Sequence, residues 1–243
     1  MNERQVLARL AFVVLALAVL AGCPVSSTWT TPRTIPQGTS LHTVGVDTFF
    51  AVAREGGAPA EGDEVLWYSG PGTHVAPFVF PAYLFRIGLG DRFDLGLKGS
   101  TAGAFQVDFK WQLIKTPAFD MAIDPAIELS FIDYATLPLL FGINAGESFT
   151  VYGGPRATWM FIPVGETDTG DQIYSGGLSV GGSLGFRIQA GDRFAIYPEM
   201  TWLRGLQKDA NGHLVTLGLG FSFGTGHPDY GPGSIEYVEG GTP

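Results

Sequence analysis

Two serines lie in a pattern that could support nucleophilic catalysis. Ser179 and Ser183 each stand at the centre of a Gly-x-Ser-x-Gly sequence, and Glu199 and His213 follow as a carboxylate and a base. Such a serine is exposed by a sharp strand-to-helix turn. Both serines instead lie in one run of alternating apolar and polar residues, which predicts mid-strand positions. We interpret them as small residues that make room for bulky neighbours, and we predict no catalytic residues.

The other residue types that bind metals or cofactors are too scattered to form a site. The four histidines, at positions 42, 74, 213 and 227, show no ligand spacing such as His-Glu-x-x-His. Cys23 is the sole cysteine, which excludes an intramolecular disulfide or a thiolate cluster. A net charge of −9 without any basic run argues against nucleic acid. The sequence therefore predicts no metal, no cofactor and no nucleic-acid partner, and it leaves any small-molecule ligand open.

The N-terminus has the layout of a bacterial export signal. Arg4 and Arg9 precede an apolar run over residues 10–20, which is too short to span a bilayer as a helix. The signal ends in Leu-Ala-Gly-Cys at Cys23, which resembles the lipobox of bacterial lipoproteins. The resemblance implies cleavage before Cys23 and acylation of that residue, with palmitate among the added chains. Because Pro24 replaces the aspartate of retained lipoproteins, it also implies sorting to the outer membrane of a Gram-negative cell.

The composition predicts an apolar environment for the rest of the chain. Of the 243 residues, 45% are hydrophobic and only 15% are charged, and the mean hydropathy is +0.19. Past residue 22, no stretch approaches the roughly 18 apolar residues of a membrane-spanning helix. The 35 glycines and 16 prolines disfavour long helices. The apolar residues are therefore expected in short strands.

Strict alternation over residues 105–113 is typical of a transmembrane β-strand. The apolar residues are Phe105, Val107, Phe109, Trp111 and Leu113, and the polar residues between them are Gln106, Asp108, Lys110 and Gln112. Lipid contacts one face of such a strand and the lumen contacts the other. Similar segments predict strands near 41–53, 76–89, 92–100, 103–115, 118–132, 136–144, 148–162, 173–189, 193–204 and 212–224. The predicted fold is all-β, an antiparallel up-and-down transmembrane barrel of about ten strands, although eight would also fit.

This pattern divides the chain into four parts. They are a lipoprotein signal peptide (1–22), a lipidated N-terminus with an extended periplasmic linker (23–40), an outer-membrane barrel (41–224) and a Gly/Pro-rich tail (225–243). The Ser, Thr and Pro content of residues 24–40 favours the linker. The short turns are predicted to lie in the periplasm with both termini, and the longest connections, 54–75 and 163–172, on the outside.

Aromatic residues are expected to form two girdles around this barrel. Each of four periplasmic turns is followed by an outward phenylalanine: Phe93, Phe119, Phe149 and Phe194. Near the other strand ends lie Tyr134, Trp159, Phe161 and Trp202. Amphipathic rings favour the membrane interfaces, which predicts a lower and an upper girdle.

Twelve charged residues are predicted to face the lumen. They are Asp47, Arg86, Asp94, Lys98, Asp108, Lys110, Asp120, Asp124, Glu128, Arg156, Arg187 and Glu199. Mixed signs favour pairing across the sheet, for instance Lys98 with Asp108, or Lys110 with Asp120 or Asp124. Barrels of about eight strands are filled by side chains, and open channels appear near sixteen. The lumen is therefore predicted to be packed.

The last predicted strand carries an assembly motif. Thr216, Gly218, Phe221 and Phe223 provide a polar residue, a glycine and two aromatics two apart. This spacing resembles the β-signal of the outer-membrane β-barrel superfamily, in particular its small, OmpA-like members. The resemblance covers residues 41–224 and implies contact with outer-membrane lipid and with the barrel-assembly machinery. Cys23 implies the lipoprotein-sorting machinery as a further partner.

Three classes of function remain open. Short loops and a mixed-charge lumen favour a barrel with a structural or interaction role, anchored in the outer membrane. A narrow pore or small-ligand carrier would require an uninterrupted polar path. A hydrolase or protease at the extracellular rim, resembling the omptins or lipid A hydrolases, could use His74, Asp209 and His213. The short loops leave little room for its substrate.

We expect the mature protein to begin at Cys23 and to carry acyl chains, which intact-mass analysis measures. An unmodified Cys23, or cleavage elsewhere, would contradict this. The control variant Cys23→Ser should lose the lipid yet remain embedded in the membrane, because the apolar strand faces bind lipid more strongly than acyl chains do.

Overall fold

A computed structural model of the chain describes residues 27–53, 72–101, 103–130, 133–166, 172–206 and 212–228. The strands are β1 (Ser40–Ala53), β2 (Gly72–Gly90), β3 (Phe93–Ser100), β4 (Phe105–Lys115), β5 (Phe119–Ile123), β6 (Ala126–Leu129), β7 (Asp133–Ala145), β8 (Phe149–Glu166), β9 (Gln172–Gln189), β10 (Phe194–Gly205) and β11 (Gly212–Gly224). No helix in these ranges is long and apolar enough to cross a membrane.

The strands form one closed antiparallel barrel. Except for β5 and β6, strands adjacent in the chain pair with each other, and β1 pairs with β11 from Leu41–Gly224 to Ala53–Gly212, which closes the sheet. Strands β5 and β6 share one position between β4 and β7. The barrel therefore has ten strand positions, and the predicted all-β, up-and-down fold is confirmed. We call the end with the short turns the turn end and the opposite end the loop end.

A proline divides the strand that is predicted over residues 118–132. Pro125 has no backbone N–H to donate, and regular pairing stops at Asp124 and Pro125. The ladder nevertheless crosses the break, because Phe109 N donates to Pro125 O at 3.0 Å and Asp124 N donates to Pro138 O at 3.2 Å. The alternation of faces continues unchanged on both sides of the break.

The two faces of the wall have opposite polarity. Along β4 the even-numbered residues from Gln106 to Gln112 are buried, and the odd-numbered residues from Phe105 to Trp111 are exposed. Large apolar side chains point outward around the barrel, whereas charged side chains are buried inside it. The inside of this protein is thus its polar part.

Outward aromatic rings stack at the turn end. Phe93 stacks on Phe109 and Trp111, and the pairs Phe119–Phe141, Phe149–Phe186 and Phe194–Phe221 stack with centroids 6.0–6.4 Å apart. Nearer the loop end, Trp159, Phe161 and Trp202 are exposed. Tyr134 does not join them, which corrects the prediction for that residue. Its ring is buried because Tyr134 occupies an inward position in the alternation of β7, and its hydroxyl donates to Glu128 in the lumen.

Strand ends differ from the prediction mainly at the loop end. Strand β2 begins at Gly72 and β8 ends at Glu166, so both strands reach into the predicted long connections. At the turn end, Gly146 and Gly191 have φ values of +70° and +88°, which favour glycine in tight turns. The predicted signal peptide, Cys23, Asp209 and residues 229–243 of the tail lie outside the described residues.

Candidate functional site

Residues 27–35, which we call the luminal segment, lie inside the barrel. Eight of their nine side chains are buried. The prediction of a periplasmic linker over residues 23–40 is wrong for this part. A chain rich in Ser, Thr and Pro has the composition of a linker, but here side chains of the barrel wall supply the hydrogen bonds that water supplies to a linker.

Glu199 on β10 holds the start of the luminal segment. Its carboxylate accepts hydrogen bonds from Thr28 N at 2.8 Å, Thr28 Oγ1 at 2.9 Å and Trp29 N at 2.9 Å. Tyr152 Oη donates to the same carboxylate at 3.0 Å. One buried carboxylate therefore pairs two backbone N–H groups that have no strand neighbour. Hydrogen bonds to a charged group are stronger than bonds between neutral groups.

Two lysines hold the carbonyl groups of the luminal segment. Lys110 Nζ donates to Thr30 Oγ1 at 2.8 Å, Thr31 O at 3.0 Å and Arg33 O at 3.2 Å. Lys98 Nζ donates to Ser27 O at 2.6 Å. The two ammonium groups thus satisfy carbonyl oxygens of the luminal segment, just as Glu199 satisfies its N–H groups.

The end of the luminal segment binds the wall near the turn end. Arg33 forms an ion pair with Asp120, with Nη2 and Oδ1 3.0 Å apart and both side chains buried. Gln112 Oε1 accepts from Thr34 N at 3.0 Å and from Thr34 Oγ1 at 2.8 Å. Asp94 Oδ2 accepts from Ile35 N at 3.2 Å. The wall therefore binds both the backbone and the side chains of the luminal segment at its start, its middle and its end.

A second cluster of charges lies beside this segment. Arg86 forms ion pairs with Asp94, with Asp108 at 2.5 Å and with Asp124 at 3.8 Å. Lys110 pairs with Asp94 at 3.1 Å. Charges buried in this way are stable only when paired.

The predicted ion-pair partners of Lys98 and Lys110 are wrong. Lys98 pairs with Asp47 at 3.5 Å rather than with Asp108. Lys110 pairs with Asp94, which is its direct neighbour in the register of β3 and β4, rather than with Asp120 or Asp124. Asp120 is instead taken by Arg33, a residue that the prediction placed outside the barrel.

All twelve predicted lumen charges are buried: Asp47, Arg86, Asp94, Lys98, Asp108, Lys110, Asp120, Asp124, Glu128, Arg156, Arg187 and Glu199. Arg187 lies near the turn end, where its Nη1 donates to Glu147 O at 3.0 Å. Arg156 lies on β8 nearer the loop end, beside Tyr134 and Thr158. The luminal segment adds Arg33 as a thirteenth buried charge.

Inward glycines make room for the luminal segment. A Cβ at Gly45 would lie 2.6 Å from the Trp29 ring, and one at Gly220, its partner across β1 and β11, would lie 2.9 Å from Trp29 Cγ. A Cβ at Gly142 would lie 2.7 Å from Pro32. These glycines at inward positions are the signal in the sequence that could have revealed a buried segment.

Trp29 is the largest side chain of the luminal segment and is fully buried. Its φ of +44° lies in the left-handed region, which is unfavourable for a bulky residue. The surrounding contacts hold it there: Glu199 binds its backbone N–H, and Lys98 Nζ lies 4.2 Å from the ring centroid. Such a conformation persists only where the surroundings fix it.

The four residues of the assembly motif lie on both faces of β11. Thr216 and Gly218 are buried, while Phe221 and Phe223 are 39% and 46% exposed. A Cβ at Gly218 would lie 2.1 Å from Ser27 Oγ. Space for the luminal segment is therefore a second reason for glycine at this position, and recognition by the assembly machinery stays a prediction.

The residues that could support catalysis do not come together. Ser179 and Ser183 lie within β9, away from any strand-to-helix turn. Glu199 binds the luminal segment inside the barrel, whereas His213 stacks on the outward ring of Trp202. The side chain of His74 lies outside the described part of the chain. Among the described residues, no cluster of His, Cys, Asp and Glu could hold a metal ion.

Two small voids lie beside the luminal segment in the described part of the barrel. One void, lined by Thr28, Arg86, Tyr134 and Arg156 among others, has an open volume of about 10 Å³. A second void of about 10 Å³ lies against Tyr134, Arg156 and Leu203. Each volume holds about one water molecule.

The ten strand positions of the barrel thus combine an apolar outside, a charged inside and aromatic rings at the turn end. The architecture is a closed up-and-down antiparallel β-barrel whose apolar face points outward. No family model matches the chain, and no curated protein matches it.

Solved outer-membrane barrels give distant matches to this barrel. Neisserial surface protein A matches with 9% identity and a TM-score of 0.40, over 77% of this chain and 99% of that one. The NanC porin matches with 7% identity and a TM-score of 0.41, over 74% and 98%. The attachment invasion locus protein Ail of Yersinia pestis gives 11% identity and a TM-score of 0.33, over 77% and 99%. Because these TM-scores are below 0.5, the architecture rests on the strand pairing and burial of this chain alone.

We expect Glu199→Ala to destabilise the barrel. The change leaves the buried N–H of Trp29, the partly buried N–H of Thr28 and two hydroxyls without their acceptor, and an unsatisfied buried donor costs about 1–3 kcal/mol. The free energy of unfolding, measured by urea titration in detergent, should fall by about 2–4 kcal/mol. The control Glu147→Ala removes an exposed carboxylate and should change it by less than about 0.5 kcal/mol. Equal effects would contradict the role of Glu199.

We expect Gly220→Leu to displace Trp29 and expose Arg33 to trypsin. Overpacking of this kind costs about 1–3 kcal/mol, which corresponds to about five- to hundredfold faster cleavage after Arg33. Mass spectrometry of a limited digest measures that rate. Gly99→Leu is the control, because a Cβ at Gly99 meets nothing within 4 Å. The same rate in both variants would show that Arg33 is protected without the glycine pair.

Proposed function

We propose that the protein is an outer-membrane lipoprotein barrel with a structural or interaction role, and that its own luminal segment closes the lumen. The observation that carries this proposal is the inverted polarity of the wall. Exposed Val107, Trp159 and Met200 contrast with buried Asp47, Lys110 and similar residues. Water would be an unfavourable surrounding for this apolar outer face, whereas hydrocarbon suits it.

The lipid anchor belongs to the proposal through the sequence. The lipobox at Cys23 supports acylation, and Pro24 supports sorting to the outer membrane. Ser27, the first residue of the luminal segment, is the fourth residue after Cys23. An extended chain of that length spans at most about 14 Å. The proposed anchor and the closure of the lumen are therefore close neighbours in one stretch of chain.

The occupied lumen in the described part of the barrel supports a structural or interaction role over an open pore. Luminal contacts of Glu199, Lys110 and Asp120 occupy the groups that would otherwise face an aqueous path. Of the residues predicted for a rim enzyme, only the side chain of His213 lies in the described part of the chain, where it stacks on the outward ring of Trp202. The alternative of a narrow pore applies only to a barrel from which the luminal segment has moved.

Recordings on the purified, refolded protein in a planar bilayer test the closure. We expect no stable openings, because the luminal segment and the charge cluster occupy the described part of the lumen. Reproducible open channels with clear ion selectivity in the unmodified protein would contradict the proposal and favour the pore.

We expect Val107→Arg to impair insertion of the barrel into lipid. Val107 is 39% exposed on the outer face, four residues along β4 from the stacked ring of Trp111. Arginine on the lipid face near the midplane costs about 2–4 kcal/mol. Urea titration of folding into phospholipid vesicles measures this cost, and Val107→Leu is the apolar control. If both variants fold equally well, the outer face of β4 does not contact hydrocarbon.

A further inference from the structure

We infer that the luminal segment is a removable plug and that the wall behind it lines a cation-selective path. This inference rests on the proposed function, a membrane-spanning barrel with a closed lumen. It adds an activity: conduction of small cations once residues 27–35 have left the lumen.

The first step is that the barrel closes without the luminal segment. Strand β1 pairs directly with β11 over its whole length, and all wall strands have two neighbours. The contacts that hold the luminal segment come mainly from wall side chains, such as Glu199, Lys110 and Gln112. Withdrawal of the segment would therefore break side-chain contacts and leave the strand ladders intact.

The second step concerns the tether between the segment and β1. Residues 36–38 are exposed at the turn end, and Thr39 N donates to Pro36 O at 3.2 Å in a tight turn. Gly38 in this turn has a φ of +74°. The luminal segment thus joins the barrel through an exposed turn that contains a glycine. Gly38 N donates to Gly88 O of β2 at 3.1 Å. A change of direction at Gly38 breaks that bond and leaves the pairing of β1 with β2 from Ser40 onward in place.

The third step is the space that the segment occupies. An extended chain has a cross-section of about 5 by 10 Å, against about 2.8 Å for a water molecule. The segment runs from Asp94 and Gly88 near the turn end to Gly218 farther inside. From Thr28, two small voids that share Tyr134 and Arg156 continue toward Leu203 and Leu214. Removal of the luminal segment would join the space that it occupies to these two voids and form one water-filled path.

The fourth step is the sign of the charge along that path. The described wall buries seven acidic side chains, Asp47, Asp94, Asp108, Asp120, Asp124, Glu128 and Glu199, and five basic ones, Arg86, Lys98, Lys110, Arg156 and Arg187. Loss of the segment removes Arg33, the partner of Asp120, and the donors that bind Glu199. The emptied wall keeps an acidic excess, and acidic linings select cations.

A cleavable variant tests both parts of the inference. A site for a sequence-specific protease is inserted between Gln37 and Gly38, so that the chain is cut only after the complete barrel has folded. Residues that precede the cut are then released in a urea concentration at which the strands stay folded, and their loss is measured by mass. The uncut variant and the unmodified protein, carried through the same steps, are the controls.

We expect stable openings only in the cut and stripped barrel, with a reversal potential in a KCl gradient that shows preference for potassium. Asp120→Asn with Glu199→Gln should reduce that preference in the stripped barrel. A stripped barrel that shows no channel openings, or that prefers chloride, would overturn the inference. Release of the cut peptide only when the strands unfold would also overturn it. Conduction by the unmodified protein would instead contradict the proposed function.

Discussion

The structure depends on one constraint: a buried backbone must find hydrogen-bond partners. The luminal segment enters the barrel without a neighbouring strand, so its N–H and C=O groups cannot join a ladder. Glu199 and Asp94 accept from its amides, while Lys98 and Lys110 donate to its carbonyls. Charged side chains thus do for this segment what a second strand does elsewhere.

The same contacts explain why so many charges can be buried in a narrow barrel. An isolated buried charge is strongly unfavourable, and pairs across the wall satisfy only some of the carboxylate oxygens and ammonium hydrogens. The segment supplies further donors, acceptors and the guanidinium of Arg33. Wall and segment therefore stabilise each other, and the interior is closed by the interactions that make its charges tolerable.

The faces of the wall could be predicted from the sequence because they follow from a local rule. The alternation over residues 105–113 gives the burial pattern of β4 residue by residue. The same rule places Tyr134 inward, because the even-numbered residues of β7 from Tyr134 to Gly142 are buried, so its assignment to the upper girdle was wrong. Alternation alone did not predict that Pro125 interrupts a strand. The faces nevertheless alternate unchanged on both sides of that proline.

The luminal segment could not be predicted in the same way, because its contacts join distant residues. Thr28 and Glu199 are 171 residues apart, and Arg33 and Asp120 are 87 apart. A run of Ser, Thr and Pro has the same composition in a linker that water solvates and in a segment that a charged barrel wall binds. Only the inward glycines, such as Gly45 and Gly220, carried a trace of it, since they leave space that the wall alone does not need.

Hydrogen exchange of the folded protein in detergent tests the central claim most directly. The amides of Thr28, Trp29, Thr34 and Ile35 all donate to wall side chains, although none belongs to a strand. If the luminal segment fills the barrel, these amides should exchange as slowly as those in the middle of β4. Exchange at the rate of an unstructured peptide would show that residues 27–35 lie outside the barrel and would contradict the account.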